Sequence, residues 1–507
     1  MIPINKRNIA TSIILSFVTL GIYLIYWEYL LVKNIRVIKK DESSCTGEML
    51  CLIFVPFYAV YWWYTRGKTV KEEFANRGYS ASGSEIAYLI LALFGLSIVC
   101  MAIMQHDFNS LPSEATSETT QSPEIVQLLK TNIKSYMMYI ALVLIMLFFQ
   151  IWSGGKFFKP SNITNLFNQA AYVAVLAIGM TLILILKHID LSVGYVAGFT
   201  GAIAAILMQT YGVNQWLAIL IVLLIGLVIG LYQGTLVMRV GVPAFVTTLA
   251  GMFIFRGLLS LSLAKTGTIV ISQKGFLSLC QGFIPDIPNG TGYHLATIII
   301  GVVAVALVIY SQVKSRRNKQ KYDFDVVSTP IFIAGLVLIS AIILVVCVVL
   351  ASDKGIPWSA VIVGVILAIY TFLLSKTKLG RYIYGIGGND QAAELSGVDV
   401  KLVTQFAFCS MSVLAAVSGI LYASRLSSAT PTAGNAFEMD AIASSYIGGT
   451  AVSGGVGKVT NAIIGTFVIM SLTNGMNLMS VDISYQYIVK GIIFIAAVAF
   501  DVRARKK

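Results

Sequence analysis

Apolar runs long enough to cross a bilayer follow one another along almost the whole chain, and that repetition decides what the chain can become. A helix needs roughly 17 to 25 residues to span the hydrocarbon core. Runs of this kind begin with IATSIILSFVTLGIYLIYWEYLLV at residues 9–32 and recur as far as residue 500. Inside the hydrocarbon core every backbone N–H and C=O must be satisfied internally, so such runs form helices. Of the 507 residues, 57% are hydrophobic and only 12% charged, where a water-soluble domain carries about 25% charged residues. The mean hydropathy is +0.82. The expectation is an all-α polytopic membrane protein, a helix bundle with no room for a large soluble domain. The first run is too long and too aromatic for a signal peptide and lacks a small-residue cleavage site, so it reads as a retained span.

From Lys130 onward, spans are expected at residues 136–152, 166–186, 193–211, 216–238, 243–263, 294–313, 331–350, 357–375, 402–424, 439–456, 459–479 and 484–500. That makes about 10–12 spans in the larger part, with 2–3 more before it. The net charge of +13 raises the question of nucleic acid, and the distribution of charge answers it. Under the positive-inside rule, one set of alternate loops holds about 18 Lys and Arg residues and the other about 6. The rich set includes Lys130, Lys134, Lys187, Arg239, the KSRRNKQK segment and the C-terminal RARKK; the poor set includes Lys156, Lys159, Lys265 and Lys354. The basic charge is thus a topology signal that places the C-terminus in the cytoplasm, not a nucleic-acid footprint.

Residues 1–110 form a separate unit, followed by a polar, acidic linker at 111–130 and the main membrane domain at 131–507. The linker stretch HDFNSLPSEATSETTQSPE has too few apolar residues to bury a core. Three apolar runs precede it, at 9–32, 49–64 and 86–104, the second short enough to be re-entrant. Lys and Arg stand in both intervening loops, so the charge rule gives this unit no orientation. LSFVTLGIYLIYWEY resembles the first helix of a small bacterial membrane domain family of uncharacterised function.

Cys51, Cys100, Cys347 and Cys409 fall within apolar runs, Cys45 and Cys280 stand singly in loops, and His106, His188 and His294 are widely separated. None has metal-ligand spacing. No metal site, no catalytic residue and no enzymatic activity are expected of this chain.

Two glycine-rich stretches imitate nucleotide-binding loops. In GIGGNDQAAELSGVDVK (385–401), Gly385 and Gly387 fit a dinucleotide fingerprint, but Asp390 takes the third glycine's place, and the segment follows an apolar helix rather than a strand. In SGGVGKVT (453–460), Val452 stands where a P-loop needs its first glycine, and Val459 replaces the Ser or Thr that would hold magnesium. A close helix-to-helix turn fits it better. The first stretch has another physical reading. Gly387 and Gly388 let the chain turn, Asn389 is a strong N-cap, and Asp390 complements the positive helix end. Gln391, Ala392, Ala393, Glu394 and Leu395 favour helix, and Gly397 terminates it. The expected product is a two-turn helix with two alanines on one side, either a solvated connector or a docking element.

TKLGRYIYGIGGNDQAAELSGVDVK (377–401) resembles the cytoplasmic loop of sugar-type ABC transporter permeases of the ribose, xylose and galactose branch. Further motifs agree in order: GMTLILILKHIDLSVGYVAGFTGAIAA (179–205), GVPAFVTTLAGMFIFRGL (241–258), DAIASSYIGGTAVSGGVGKVTNAIIGTFV (440–468) and YIVKGIIFIAAVAFD (487–501). The resemblance covers about residues 160–507. HIDLSVG is most similar to the subgroup handling several monosaccharides, xylose and arabinose among them. Two departures stand out: Lys187, where the family usually has glycine or another small residue, and the N-terminal unit itself.

The resemblance implies a permease subunit in a bacterial cytoplasmic membrane that imports a monosaccharide delivered by an extracytoplasmic sugar-binding protein. It implies a second permease copy and a separate ABC ATPase that carries the ATP and magnesium, so this chain binds no cofactor. By the same resemblance, Gly388, Asn389, Asp390, Gln391, Ala392, Ala393, Glu394 and Gly397 belong to a coupling helix that docks on the ATPase. Candidates for the translocation path are His188, Asp190, Ser192, Thr247, Thr248 and Asp440. Asp190 or Ser192 equally suits helix capping, Thr247 and Thr248 equally suit helix packing, and Lys490 either snorkels or pairs with a carboxylate. The small residues of DAIASSYIGGTAVSGG suit a close-packed seam. The competing class is a stand-alone secondary transporter or channel, which predicts buried carboxylates and broken helices.

Overall fold

The computed structural model describes residues 22–39, 58–76, 81–93, 97–111 and 124–505, the last apart from 289–291, 323, 325, 327 and 328. It also describes the single positions 7–9, 12, 13, 16, 48, 52, 78 and 79. The chain folds as two units, Met1–Thr131 and Asn132–Lys507.

In the first unit, α1 (Ile22–Lys39), α2 (Tyr58–Ala75), α3 (Glu85–Leu93) and α4 (Ser97–Ser110) enclose an aromatic core of Trp27, Trp62, Trp63, Phe74, Tyr88 and Phe108, each essentially without exposure. Glu48 is the polar anchor of this unit. Its carboxylate accepts hydrogen bonds from Arg36 at 2.9 Å and Arg66 at 2.7 Å, and from the Trp62 indole. A buried carboxylate is tolerated here because two guanidiniums compensate it. The run expected at 49–64 lies mostly outside the described residues up to Tyr58, and so do linker residues 112–123.

α5 (Glu124–Trp152) leads to the second unit. There follow α6 (Pro160–Ile185), α7 (Val193–Gln209), and α8 (Gln215–Thr235), which ends in a π turn over Leu236–Val240. Then come α9 (Ala244–Ser262), β1 (Ile269–Val270), α10 (Lys274–Gln281), α11 (Leu295–Lys321), α12 (Thr329–Ala351), α13 (Trp358–Lys376), α14 (Lys378–Gly388) and α15 (Asp390–Leu395). The chain closes with α16 (Val400–Leu426), β2 (Ser428–Ala429), α17 (Phe437–Ile447), α18 (Val459–Leu478) and α19 (Ile483–Arg505). Among the described residues seven helices are long and apolar enough to cross a membrane: α6, α8 with its π turn, α9, α11, α13, α16 and α18. Shorter apolar stretches lie in α5, α7, α12 and α19. The fold is the expected all-α bundle.

Burial ranks these helices. α6 is apolar on every side and almost wholly enclosed, wrapped by α16, α17, α18 and α13, which is where an all-round apolar helix must sit. α11, α12 and α13 instead expose Val302, Leu307, Val337 and Phe372, the outward apolar surface a bilayer covers. Polar side chains tie α6 to its neighbours: Asn162 and Asn474 exchange amide hydrogen bonds at 2.9 and 3.1 Å, and Ser418 donates to the Tyr172 carbonyl at 2.9 Å.

Close backbone approach sets the tightest spacings. Gly226, Gly230 and Gly234 recur every four residues on one face of α8, against α16. A Cβ at Gly230 would lie 2.5 Å from the Cys409 Cα and 2.7 Å from the Phe408 oxygen. On α16, a Cβ at Gly419 would strike the Ala197 carbonyl of α7. Side chains are excluded at Gly230 and Gly419 because backbone, not a movable side chain, stands opposite.

One expected span is absent. Residues 439–456 do not cross: α17 stops at Ile447 after 11 residues, about 16 Å of rise against a core of roughly 30 Å. Gly449, Gly454 and Gly455 then adopt positive φ and turn the chain. The Gly/Ala/Ser content that suits close packing does so within the half-helix, where Ser445 donates to the Ala177 carbonyl of α6 at 3.2 Å, and a Cβ at Gly465 of α18 would strike Ser444.

Gly419→Ala is expected to lower the thermal midpoint of the detergent-purified protein by an amount equivalent to about 1–3 kcal/mol or to prevent folding, whereas Gly364→Ala, with nothing within 4 Å of the new methyl, leaves it unchanged. Equal midpoints for both would show that the α7–α16 approach is looser than described.

Candidate functional site

The polar loop after α13 folds as a series of capped helices. Thr377 accepts the Gly380 N–H at 3.2 Å to start α14, Asn389 accepts the Ala392 N–H at 3.0 Å to start α15, and Asp399 accepts the Leu402 N–H at 2.9 Å to start α16. α15 ends in a Schellman turn: Gly397 has φ +83°, its N–H reaches Glu394, and the Val398 N–H reaches Ala393 at 3.1 Å. Asn389 and Gly397 therefore do what the sequence expected of them.

Two expectations about this helix need correction. Gly387 and Gly388 do not turn the chain; they are the last residues of α14, with no positive φ. Gly387 is needed for approach, since a Cβ there would strike the Ile185 carbonyl and lie 2.7 Å from the Gly455 nitrogen. Nor do the two alanines share an exposed face. Adjacent helical residues stand about 100° apart, so Ala393 packs into the core while Ala392 is exposed. The outward face of α15 carries Gln391, Ala392, Glu394 and, above all, Leu395, which is 91% exposed. Sequence reasoning took Leu395 only as a helix former; its signal was an apolar residue on the solvent side of a polar loop.

The two glycine-rich stretches meet at the end of α6. The Gly455 N–H donates to the Ile185 carbonyl at 2.9 Å, and the Tyr384 hydroxyl donates to the Gly457 carbonyl at 2.7 Å. α6 itself ends in a second Schellman turn, with the Lys187 N–H to Leu184 and the His188 N–H to Ile183, both at 3.0 Å. Lys187 is the left-handed residue of that turn, at φ +64°. The position favours glycine. The Lys187 ammonium approaches the Gly388 carbonyl at 3.4 Å. His188 packs on Phe408, with ring centres 5.9 Å apart. Burial holds its imidazole below the ordinary histidine value, and Asp390 acts in the opposite sense. A path candidate and a coupling-helix residue thus sit within electrostatic reach of each other.

Between α6 and α7 the chain leaves helical geometry beside the buried Asp190 and Ser192. Asp190 accepts the Ser192 N–H at 2.9 Å and its hydroxyl at 2.6 Å, Gln233 of α8 donates to the Ser192 oxygen at 2.8 Å, and Thr248 of α9 donates to the Ile189 carbonyl at 3.1 Å. Asp190, Ser192, Gln233 and Thr248 are fully buried, and Thr247 nearly so. One oxygen each of Asp190, Gln233 and Thr247 has no hydrogen-bond partner. Gln233 was not foreseen, although a lone amide in an apolar helix is the usual sign of such a partner.

Asp440 lies in a different cluster. It opens α17 and pairs with Lys490 of α19 through both carboxylate oxygens, at 2.9 and 3.0 Å, so pairing rather than snorkelling describes Lys490. The starts of α7 and α17 abut: a Cβ at Gly194 would strike both the Gly434 carbonyl and the Glu438 carboxylate. Among the described residues no group of three His, Cys, Asp or Glu side chains is arranged to hold a metal ion.

Comparison with known proteins gives the family of the chain. The family described as "Branched-chain amino acid transport system / permease component" matches residues 162–498. The chain belongs to this permease family. It is 36% identical to the xylose transport system permease protein XylH of Haemophilus influenzae over 382 residues, 75% of this chain and 99% of the relative. It is 34% identical to XylH of Escherichia coli K12 over 398 residues, 78% and 99% of the two chains. The ribose import permease protein RbsC of the same organism is 32% identical over 346 residues, 68% and 87%. A "Domain of unknown function (DUF4234)" matches residues 7–72. No solved structure matches the chain. The chain is a multi-pass membrane permease, a transport subunit rather than an enzyme, with a small extra domain before it.

The two Schellman turns make opposite predictions. Lys187→Gly is expected to raise the melting midpoint and Gly397→Ala to lower it, each by the equivalent of about 1–2 kcal/mol, the cost of a left-handed residue bearing a Cβ. Calorimetry or dye-monitored melting of the purified protein reads both; a destabilised Lys187→Gly would mean that the Lys187–Gly388 contact outweighs the backbone cost.

Proposed function

We propose that this permease is the membrane subunit of an ATP-driven importer of monosaccharides, of the pentose class or a similar sugar. In this reading two copies form the pathway, a sugar-binding protein delivers substrate from outside, and a separate ATPase binds and hydrolyses ATP with magnesium. α15 meets that ATPase on the cytoplasmic side of a bacterial plasma membrane, and the C-terminus lies on the same side. The observation that carries the reading is α15 itself. It is capped at both ends, anchored through Ala393, and presents Leu395 outward. An exposed apolar anchor in a polar surround is what a docking partner buries. The names of the xylose and ribose relatives supply the sugar class.

A second reading, a stand-alone secondary transporter, draws on one observation. Two helices start inside the bundle, α7 and α17, with Asp190 and Glu438 buried beside those starts, as ion-coupled carriers arrange theirs. The two readings part on energy source.

Leu395→Glu, or Ala392→Glu, is expected to reduce co-purification of the cognate ATPase roughly tenfold or more while the membrane content of the permease stays normal. Sugar uptake in proteoliposomes should require the ATPase and ATP; ATP-independent uptake by this chain alone would establish the secondary-transporter reading. Removal of residues 1–115 should leave uptake largely intact if the first unit is accessory, and loss of assembly would make that unit integral.

A further inference from the structure

Three aromatic rings from three helices converge where α17 begins. Tyr172 of α6 stands 5.1 Å from Tyr422 of α16 and 4.8 Å from Phe437 of α17, and Tyr422 and Phe437 are 4.8 Å apart, all centre to centre. One turn along α17 stands Asp440, held by Lys490 at 2.9 Å. Glu438, 6% exposed, keeps one carboxylate oxygen without a hydrogen-bond partner. Ionisable groups inside a membrane bundle are costly and mark pathways. An irregular backbone is tolerated there where protein or a polar cavity satisfies it, and residues 430–436, which lead into α17, form no regular helix or strand. Apolar and aromatic walls with a few fixed polar groups are the general make-up of a small-ligand site.

We propose that the Tyr172–Tyr422–Phe437 rings and the Asp440–Lys490 pair form the station at which the transported sugar passes the start of α17. The inference rests on the sugar-import reading above and places the passage here rather than at the Asp190–Ser192–Gln233 cluster. A monosaccharide has an apolar C–H face and a rim of hydroxyls. The ring faces take the first and the Asp440 carboxylate accepts from the second. Lys490 stays on the carboxylate throughout, so neither buried charge is left alone, and the sugar hydroxyl takes one of the remaining lone pairs. Glu438, with its free acceptor, offers the next hydroxyl contact toward the start of α7. The station favours polyols over apolar solutes, which could not use the acceptors of Asp440 and Glu438.

The test uses the full permease with its cognate ATPase and sugar-loaded binding protein in proteoliposomes, with D-xylose and D-ribose as probes and ATP hydrolysis measured alongside uptake. Phe437→Leu and Tyr422→Leu are expected to lower the sugar imported per ATP hydrolysed roughly fivefold, the scale of one aromatic contact, and to change the xylose-to-ribose rate ratio; Tyr422→Phe, which keeps the ring, should restore both. Asp440→Asn should lower the same ratio by a similar factor of roughly five. Unchanged ratios in Phe437→Leu, Tyr422→Leu and Asp440→Asn would overturn the station, as would a parallel fall of hydrolysis and uptake with the sugar ranking unchanged, since a packing defect moves both together. A wild-type complex that imports neither sugar would instead overturn the parent reading, and the station with it.

Discussion

A backbone that leaves helical geometry inside an apolar bundle has no water to turn to, and the arrangement of this permease follows from that constraint. The segment between α6 and α7 meets it with side chains: the Asp190 carboxylate takes the Ser192 amide, Thr248 serves the Ile189 carbonyl, and Gln233 is fixed on Ser192. Thr248 comes from α9 and Gln233 from α8, so the Ile189 carbonyl and the Ser192 hydroxyl gain these partners only when both helices are in place. The polar cluster is therefore a condition of assembly as well as a candidate for function.

The second constraint is distance. Helices in lipid gain little from apolar contact alone and associate through close packing and interhelical hydrogen bonds. The glycines of α8 and Gly419 of α16 bring the backbones of α7, α8 and α16 together, and the half-helix α17 is pressed between α6 and α18 by Ser444, Ser445 and Gly465. Two helix starts, those of α7 and α17, are thereby brought against each other at Gly194 and Gly434. The Asp440–Lys490 pair then ties α17 to α19, a link of opposite charges whose separation would leave either one exposed to an apolar surround.

Much of this was legible in the sequence because the relevant physics is local. Apolar length gave the helices, Asn389 gave a helix start, and Gly397 gave a helix end. What escaped was set by tertiary approach. Glycine reads the same whether it turns a chain or admits a neighbour, so Gly387 reads as a turn although it makes room for the Ile185 carbonyl. Ala392 and Ala393 look equivalent until one knows which side of α15 the bundle occupies. The small residues at 440–456 suit a spanning helix and a broken one equally, and only the positive φ of Gly449 and its successors separates them. The pairing of Lys490 with Asp440 joins residues 50 apart in sequence, beyond any periodicity argument.

The meeting of Ile185, Gly387 and Gly455 has a mechanical meaning. Three main chains touch there with no side chain interposed, so no rotamer is available to absorb a displacement. A shift of α14 would be delivered at nearly full amplitude to the end of α6 and to the loop that follows α17, in the manner of a rigid joint rather than a spring. The same stiffness makes the joint brittle: a single methyl group at residue 387 would not weaken it by degrees but force the three strands of chain apart.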